Sequence, residues 1–446
     1  MKSVLRTMAL AATTSALAMM AAPAMAQSAL ETEMQSRWDN GLEELFIHFH
    51  RNPELSFREF ETAKRMAEEL RATGAEVTEG VGGTGVVAVM RNGEGPTVLL
   101  RADMDGLPVK EDSGLPYAST ATQEDIDGIV KPVMHACGHD THITGLVATA
   151  HALAARKDEW SGTAVLIVQP AEERIGGAKA MMEDGLYERF PKPDVALAWH
   201  VSSFLPAGHV VIAPGIAYSS SDSIDITVPG IGAHGAAPHT GRDPVLIASH
   251  IVVALQALVA REIDPLQPGV VTVGSFQSGF RHNVISDEAK LLLTVRSDSN
   301  AVRETLLAGI ERIALNVGRA MGLPEDNLPV VRVGSASTPV TVNDRAMASR
   351  VRAAFVEAFG EDSIVTIPRQ GMGAEDFAYF VAPNTDVPGV YFGVGGTPLT
   401  ALTAAREGGP PVPSHHSPLF KVDGEAAVVT GAAAMTAAAL ELLQPE

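Results

Sequence analysis

The densest group of potential metal ligands in the chain is His135-Ala-Cys137-Gly-His139-Asp140-Thr-His142. Cys137 and His139 stand two residues apart, which on an extended segment projects both to the same side. A thiolate beside an imidazole suits zinc or another first-row divalent ion. Gly138 between them permits a tight backbone before a helix expected to begin near Thr141. Two ligands do not make a site, so partners must come from elsewhere. Candidates are Arg101-Ala-Asp103-Met-Asp105, Gln169-Pro-Ala-Glu172-Glu173, His200 and His415-His416-Ser-Pro. Adjacent Glu172 and Glu173 suit a division of labour in which one coordinates metal and the other moves the proton of a metal-activated water. Taken singly, a strand-end carboxylate is a solvated charge and a lone histidine is a satisfied one. The first three stand near the ends of apolar β-rich runs and the last in a loop near the C-terminus, and together they argue for one metal site.

Those runs, residues 85–90, 97–100, 164–168 and 195–200, read as strands, and residues 144–156 between them as helix. Residues 31–74 carry a helical pattern in which Ala63, Met66 and Leu70 recur at helix spacing. Strands alternating with helices predict an α/β catalytic domain, its mostly parallel central sheet flanked by helices and its strand C-terminal ends gathering the ligands. The middle of the chain differs. Residues 223–228, 270–276, 290–295 and 329–333 read as strands, and 243–261 and 301–321 as helices. This β-α-β-β-α-β order is that of a ferredoxin-like α+β unit. It predicts an inserted domain over residues 218–334, inside a discontinuous catalytic domain of residues 27–217 and 335–446. Residues 397–413 read as a Gly/Pro-rich loop, and the glycines within 81–85 lack the Lys-Ser/Thr of a phosphate loop. His151 and His250, on expected helices, read as structural.

At 446 residues the chain calls for two domains, and its hydrophobic fraction of 46% is ample for their cores. Residues 1–26 stand apart: Lys2 and Arg6, an apolar stretch over 8–22, then Ala24-Met25-Ala26 form the succession of a cleaved secretory signal. The mature protein is therefore expected to be exported, periplasmic or secreted, and soluble, with no other segment approaching a membrane-spanning length. The net charge of −20 repels nucleic acid, and an anionic substrate would need a local cationic pocket. Cys137 is the single cysteine and cannot form an internal disulfide. A free thiol is a liability in an oxidising space, which favours a ligand role over packing.

Several blocks occur in order: His50-Arg-Asn-Pro-Glu-Leu, Arg101-Ala-Asp-Met-Asp-Gly-Leu-Pro, Met134-His-Ala-Cys-Gly-His-Asp-Thr-His and Gln169-Pro-Ala-Glu-Glu. Gly232-Ala-His234-Gly-Ala-Ala-Pro-His, Met372-Gly-Ala-Glu375-Asp-Phe and His416-Ser-Pro follow. The series resembles the hippurate hydrolase, aminoacylase and auxin-conjugate (indole-acetyl-amino-acid) amidohydrolase branch of the dinuclear-metal aminoacylase/carboxypeptidase family, across nearly all of the mature chain. The resemblance implies two divalent ions per subunit, held by Cys137, His139, Glu173, His200 and His416, with Glu172 as acid/base. Mn or Zn is the first expectation, and Co or Ni would be tolerated. Asp105 is implied beside the metals as a support for their ligands. The inserted domain is implied to form a homodimer, with His234 reaching the partner's active site. The expected activity is hydrolysis of the amide bond of N-acyl amino acids. A carboxypeptidase or dipeptidase acting on short peptides is the alternative, and a non-catalytic periplasmic binding protein a remote one. Met372 and Glu375 lie in a block that touches substrate or supports the metals. The chain departs from the family pattern at three places. His415 stands where Leu is common, so either histidine is open as the last ligand, with the following Ser-Pro favouring His416. Asn283-Val-Ile-Ser286 replaces Asn-x-Ile-Pro. Arg281-His282 before it either supplies the missing cationic pocket or forms a basic hinge loop.

Overall fold

The computed structural model describes residues 28–369 and 371–444; the expected signal segment lies outside them. Ser28 opens the described chain with a capping box, its hydroxyl accepting the Glu31 N–H and its own N–H donating to the Glu31 carboxylate. The helical pattern expected over 31–74 is broken: helices Ala29–Arg37, Glu43–Arg51 and Phe60–Ala72 are separated by a kink at Gly41 and by a non-helical stretch around Pro53. Proline removes a backbone donor and disfavours helix in the residue before it, which accounts for the second break.

Strands β1 (Glu76–Val81), β2 (Gly85–Asn92), β3 (Thr97–Asp103), β4 (Gly162–Gln169), β5 (Val195–Pro206) and β6 (Val210–Val211) come first. After them the chain forms β7 (Ser220–Pro229), β8 (Gly269–Ser278), β9 (Glu288–Ser297) and β10 (Val330–Thr338), and then returns with β11 (Ile364–Val365) and β12 (Gly389–Thr397). The central sheet runs β1-β2-β4-β3-β5-β12-β6-β11. Its heart, β4-β3-β5-β12, is parallel, whereas β1, β2 and β6 pair antiparallel at the flanks. Both faces of β3 and β4 are buried, as a parallel sheet covered on two sides requires. The turn at 81–85 joins β1 to β2. A Cβ on Gly82 would meet the Met181 backbone nitrogen at 2.5 Å, so glycine there answers to packing.

The middle strands form a separate antiparallel sheet in the order β8-β9-β7-β10, which is the ferredoxin-like order. Helices Pro244–Ala257 and Asn300–Ala320 cover one face, where Ile224, Ile226, Leu291 and Leu293 pack on Ile247, Ile251 and Leu306 as a core of their own.

Two expectations change. Residues 399–406 are helical rather than part of a loop. Two helices beyond the N-terminus, Pro244–Glu262 and Gly424–Leu442, are long and apolar enough to cross a membrane by length and composition. Of Gly424–Leu442, 78% is buried against the central sheet and helix His139–Ala155, the place of a core helix.

Candidate metal centre

The central sheet presents its polar cluster along one edge. Asp103 ends β3, and Glu172 and Glu173 lie in the turn after β4, flanked by left-handed Ala171 (φ 48°) and Ile175 (φ 52°). His416 is left-handed as well, at φ 66°. Non-glycine residues in this region cost about 1–3 kcal/mol each and gather where function over-determines the backbone. Cys137 and His139 are not on an extended segment: Cys137 sits in a turn, and His139 is the first residue of helix His139–Ala155, two positions earlier than expected. Gly138 makes the junction at φ 86°, where a Cβ would meet Val201 Cγ1 at 2.5 Å. β5 continues to Pro206, so His200 lies within the strand, opposite Gly393 of β12, and not at its end.

The cluster is close-knit. Cys137, His139 and His200 offer ligand atoms within 4.8 Å of one another, as do Cys137, Glu173 and His416, and also His139, Glu172 and Glu173. Cys137 Sγ lies 3.4 Å from His200 Nε2, and Glu173 Oε2 lies 3.4 Å from His416 Nε2. His139 Nε2 is 3.9 Å from Glu173 Oε1, while its Nδ1 is 3.3 Å from Asp105 Oδ1. Asp105 also accepts the Ser56 hydroxyl at 2.6 Å and the N–H groups of Glu172 and Glu173 at 3.1 Å each. One buried carboxylate thus steadies a candidate ligand imidazole and the backbone that carries both glutamates. His415 Nδ1 is 3.7 Å from Cys137 Sγ, and its Nε2 accepts the Ser203 N–H at 3.3 Å. His142 is used up at both nitrogens: Nδ1 donates to Asp103 at 2.5 Å and Nε2 accepts the Val201 N–H at 2.9 Å.

The charges reveal what the cluster lacks. Both ring nitrogens of His139 and Glu173 Oε1 are buried without a hydrogen-bond partner. An orphaned buried polar atom costs about 1–3 kcal/mol. Burial, reinforced by Glu375, Glu173 and Asp376, holds the Glu172 carboxyl well above the usual carboxylate range. Burial also lifts Glu173 to about 8, and burial with the surrounding carboxylates lifts the Cys137 thiol. His139 resists its burial because Asp103 and Asp105 face it, and rises to about 10. Divalent cations fit this set: they satisfy His139 Nε2 and Glu173 Oε1 while Asp105 faces Nδ1, and a thiolate with imidazoles and a carboxylate is a donor set for first-row ions.

Other expected residues lie elsewhere. Glu375 is buried and fully engaged, bonded by Arg101 at 2.8 Å, Tyr391 at 2.6 Å and the Phe377 N–H at 3.0 Å. Met372 is half-buried in the loop before it. His234, Arg281 and Asn283 are exposed on the inserted domain and belong to none of these clusters. There Ala233–His234 pairs with Val284–Ile285, and the Gly235 N–H donates to the Asn283 carbonyl at 2.8 Å. Arg281 and His282 line a cavity of about 610 Å³ on that domain.

Sequence reasoning passed over Arg101 as a working residue. It is completely buried and binds Asp103 at 2.6 Å, Gln169 at 2.8 Å and Glu375. Gln169 in turn donates to Asp376 at 2.7 Å. The signal in the sequence was a full charge inside the otherwise apolar run of a central strand, a position that needs buried partners.

The model of peptidase family M20/M25/M40 matches residues 99–441. The hippurate hydrolase of Campylobacter jejuni is 38% identical over 76% of this chain and 84% of its own. Thermostable carboxypeptidase 2 of Saccharolobus solfataricus is 39% identical over 78% of this chain and 83% of its own. Among solved structures, the YXEP protein of Bacillus subtilis, described as a dinuclear metal binding peptidase, superposes with a TM-score of 0.71 at 27% identity, covering 92% of this chain and 99% of that one. The chain belongs to peptidase family M20/M25/M40. It is a metal-dependent hydrolase, with an α/β catalytic fold that carries a ferredoxin-like insertion.

Proposed function

We propose that this enzyme hydrolyses the amide bond of N-acyl amino acids, with Cys137, His139, Glu173, His200 and His416 holding two divalent ions and Glu172 moving the proton. The observation that carries the proposal is the buried set of orphaned ligand atoms on His139 and Glu173, next to a carboxyl held above its usual range. When bound, the ions, Mn or Zn in the first place, polarise the amide carbonyl and lower the pKa of water toward neutrality. Glu172 takes the proton from the attacking water and returns it to the leaving nitrogen, a transfer suited to a carboxyl that burial and the neighbouring carboxylates dispose to hold a proton. Asp105 holds the Glu172 and Glu173 amides, and so keeps base and ligand in register.

His234 supplies the remaining group in this proposal. Its Nδ1 accepts the Ala236 N–H at 3.0 Å, which leaves the proton on Nε2 as an outward donor for the developing oxyanion. Because it stands apart from the ligand cluster, we assign it to the site of a partner subunit in a homodimer formed through the inserted domain. The exposed apolar side chains Val245, Leu246 and Val253 on helix Pro244–Ala257 support an interface there rather than a membrane span. Export after signal removal belongs to the same proposal and rests on residues 1–26 alone.

The Saccharolobus relative favours a second reading, cleavage of short peptides at the carboxyl end. Protein reconstituted separately with Mn, Zn, Co and Ni, then offered hippurate-like conjugates and dipeptides with mass-spectrometric detection, separates the two. Release of free acid and amino acid from the conjugates is expected. Turnover of peptides alone would select the second reading, and no turnover by metal-loaded protein would sink both. Glu172→Gln should keep its metal and lose about 10²–10⁴ in rate, whereas Glu173→Gln should lose metal.

A further inference from the structure

Two imidazoles flank the Cys137 sulfur, and their hydrogen bonds give them opposite polarity. His200 Nδ1 lies 2.6 Å from the Val201 carbonyl oxygen. A carbonyl only accepts, so Nδ1 carries the proton and Nε2 turns its lone pair toward the ligand cluster, as a metal-binding imidazole must. His415 is reversed. Its Nε2 accepts the Ser203 N–H at 3.3 Å, which requires a neutral ring with that nitrogen unprotonated. The proton is then on Nδ1, and Nδ1 lies 3.7 Å from Cys137 Sγ. The Cys137 carbonyl is a second acceptor for this N–H. Packing limits any alternative: the ring lies 4.7 Å from Phe420 and 5.4 Å from His200, centroid to centroid, and Ser203 is fixed within β5.

We propose that His415 donates its Nδ1–H to the Cys137 sulfur, and so acts on the bound ion through the thiolate rather than as a ligand itself. The proposal rests on Cys137 being a ligand. A hydrogen bond to a thiolate stabilises the sulfur lone pairs and reduces their donation to the ion, a lever by which surrounding groups tune metal sites. His415 is thereby a positioning and tuning residue, packed edge-on against the imidazole that faces the cluster.

The thiolate-to-cobalt charge-transfer band of the Co²⁺-loaded enzyme reads this bond directly. In the wild type the band should be present, and Cys137→Ser should remove it. His415→Leu, which fills the space without an N–H, should move the band to longer wavelength while the bound cobalt per subunit stays unchanged. His415→Asn, whose side-chain amide can place an N–H where Nδ1–H was, should keep the band near its wild-type position. His415→Met repeats the donor deletion if the leucine variant does not fold. An unshifted band in the donor-less variants would overturn the proposal and leave the N–H to the Cys137 carbonyl. Loss of one cobalt would overturn it in favour of His415 as a ligand. Absence of any sulfur band in the wild type would instead refute Cys137 as a ligand, a failure distinct from the other two.

Discussion

Asp105 offers the sharpest test of how the centre is held. It is 1% exposed, and it accepts from Ser56 and from the Glu172 and Glu173 amides while facing His139 Nδ1. Asp105→Asn preserves shape but replaces one acceptor oxygen with an NH₂ group. Turned one way, that group faces the Glu172 N–H and His139; turned the other, it faces the Glu173 N–H. A serine hydroxyl can rotate to adapt, but a backbone N–H cannot, so one buried amide is left unpaired at a cost of about 1–3 kcal/mol. A contribution of opposite sign arises in the metal-free protein. Glu59 and Glu173 both feel Asp105 as a like charge, so its removal relieves repulsion. Against that, the attraction that helps keep the His139 imidazolium charged is lost as well, so the net loss of metal-free stability should stay within that range. Metal affinity has no such offset, because the carboxylate behind the His139 imidazole is gone. Outer-shell partners of this kind are worth about 10–100-fold in affinity, or about 1.4–2.7 kcal/mol. Chelator competition measures the affinity, and chemical denaturation of the metal-free protein measures the stability. Wild-type metal affinity in a destabilised variant would show that Asp105 serves only the fold and that His139 binds metal without its support.

Three further outcomes are expected. In the metal-free protein Cys137 holds its proton well above the usual thiol range, Glu173 holds one up to about 8 and His139 stays charged up to about 10, so metal must displace a proton from each. Affinity should rise with pH below about 8, roughly tenfold per unit for each displaced proton, and a flat profile by titration at pH 6 and 7 would contradict this. His50 is raised to about 9 against its burial by Asp140, at 2.6 Å, and Glu111, at 3.2 Å. A histidine raised on folding stabilises fully below its unfolded value and loses that contribution as pH climbs through about 9. Denaturation should register a loss of about 3 kcal/mol from pH 6.5 upward that His50→Gln abolishes. Mixing inactive His234→Ala subunits with inactive Glu172→Gln subunits should restore activity, because a mixed dimer holds one site with both native groups; each single variant should fall by at least about 10². No recovery, with subunit exchange verified by native mass spectrometry, would refute the shared site and leave His234 acting in cis or only structurally.

The layered architecture was legible because buried parallel strands are written as apolar runs such as Val98-Leu99-Leu100 and Val165-Leu166-Ile167, and the insertion because its six elements alternate in a recognisable order. Helix Leu399–Arg406 was hidden by its neighbours: Pro398 before it and Gly408-Gly409 after it read as loop, though the residues between are adequate helix formers. The reach of β5 past His200 depends on its pairing with β12, almost two hundred residues away, which no local pattern encodes.

The charge balance was legible only in fragments. Each acid read alone is an ordinary loop residue. Folding brings Asp103, Glu375 and Asp376 onto a single guanidinium, Arg101, and sets Asp105, Glu172 and Glu173 beside them around His139. One guanidinium and one imidazolium cannot balance six carboxylates in a space where unpaired charge is expensive. The metal-free protein answers by retaining protons: Glu172 and Glu173 rise, the Cys137 thiol rises, and His139 stays charged to about 10 although completely buried. Divalent cations supply the missing positive charge and expel those protons. The raised pKa values and the orphaned ligand atoms are therefore two expressions of one deficit, and loading the metal should relieve both together, which is why proton release on metal binding, measured in weakly buffered solution, should exceed one per subunit.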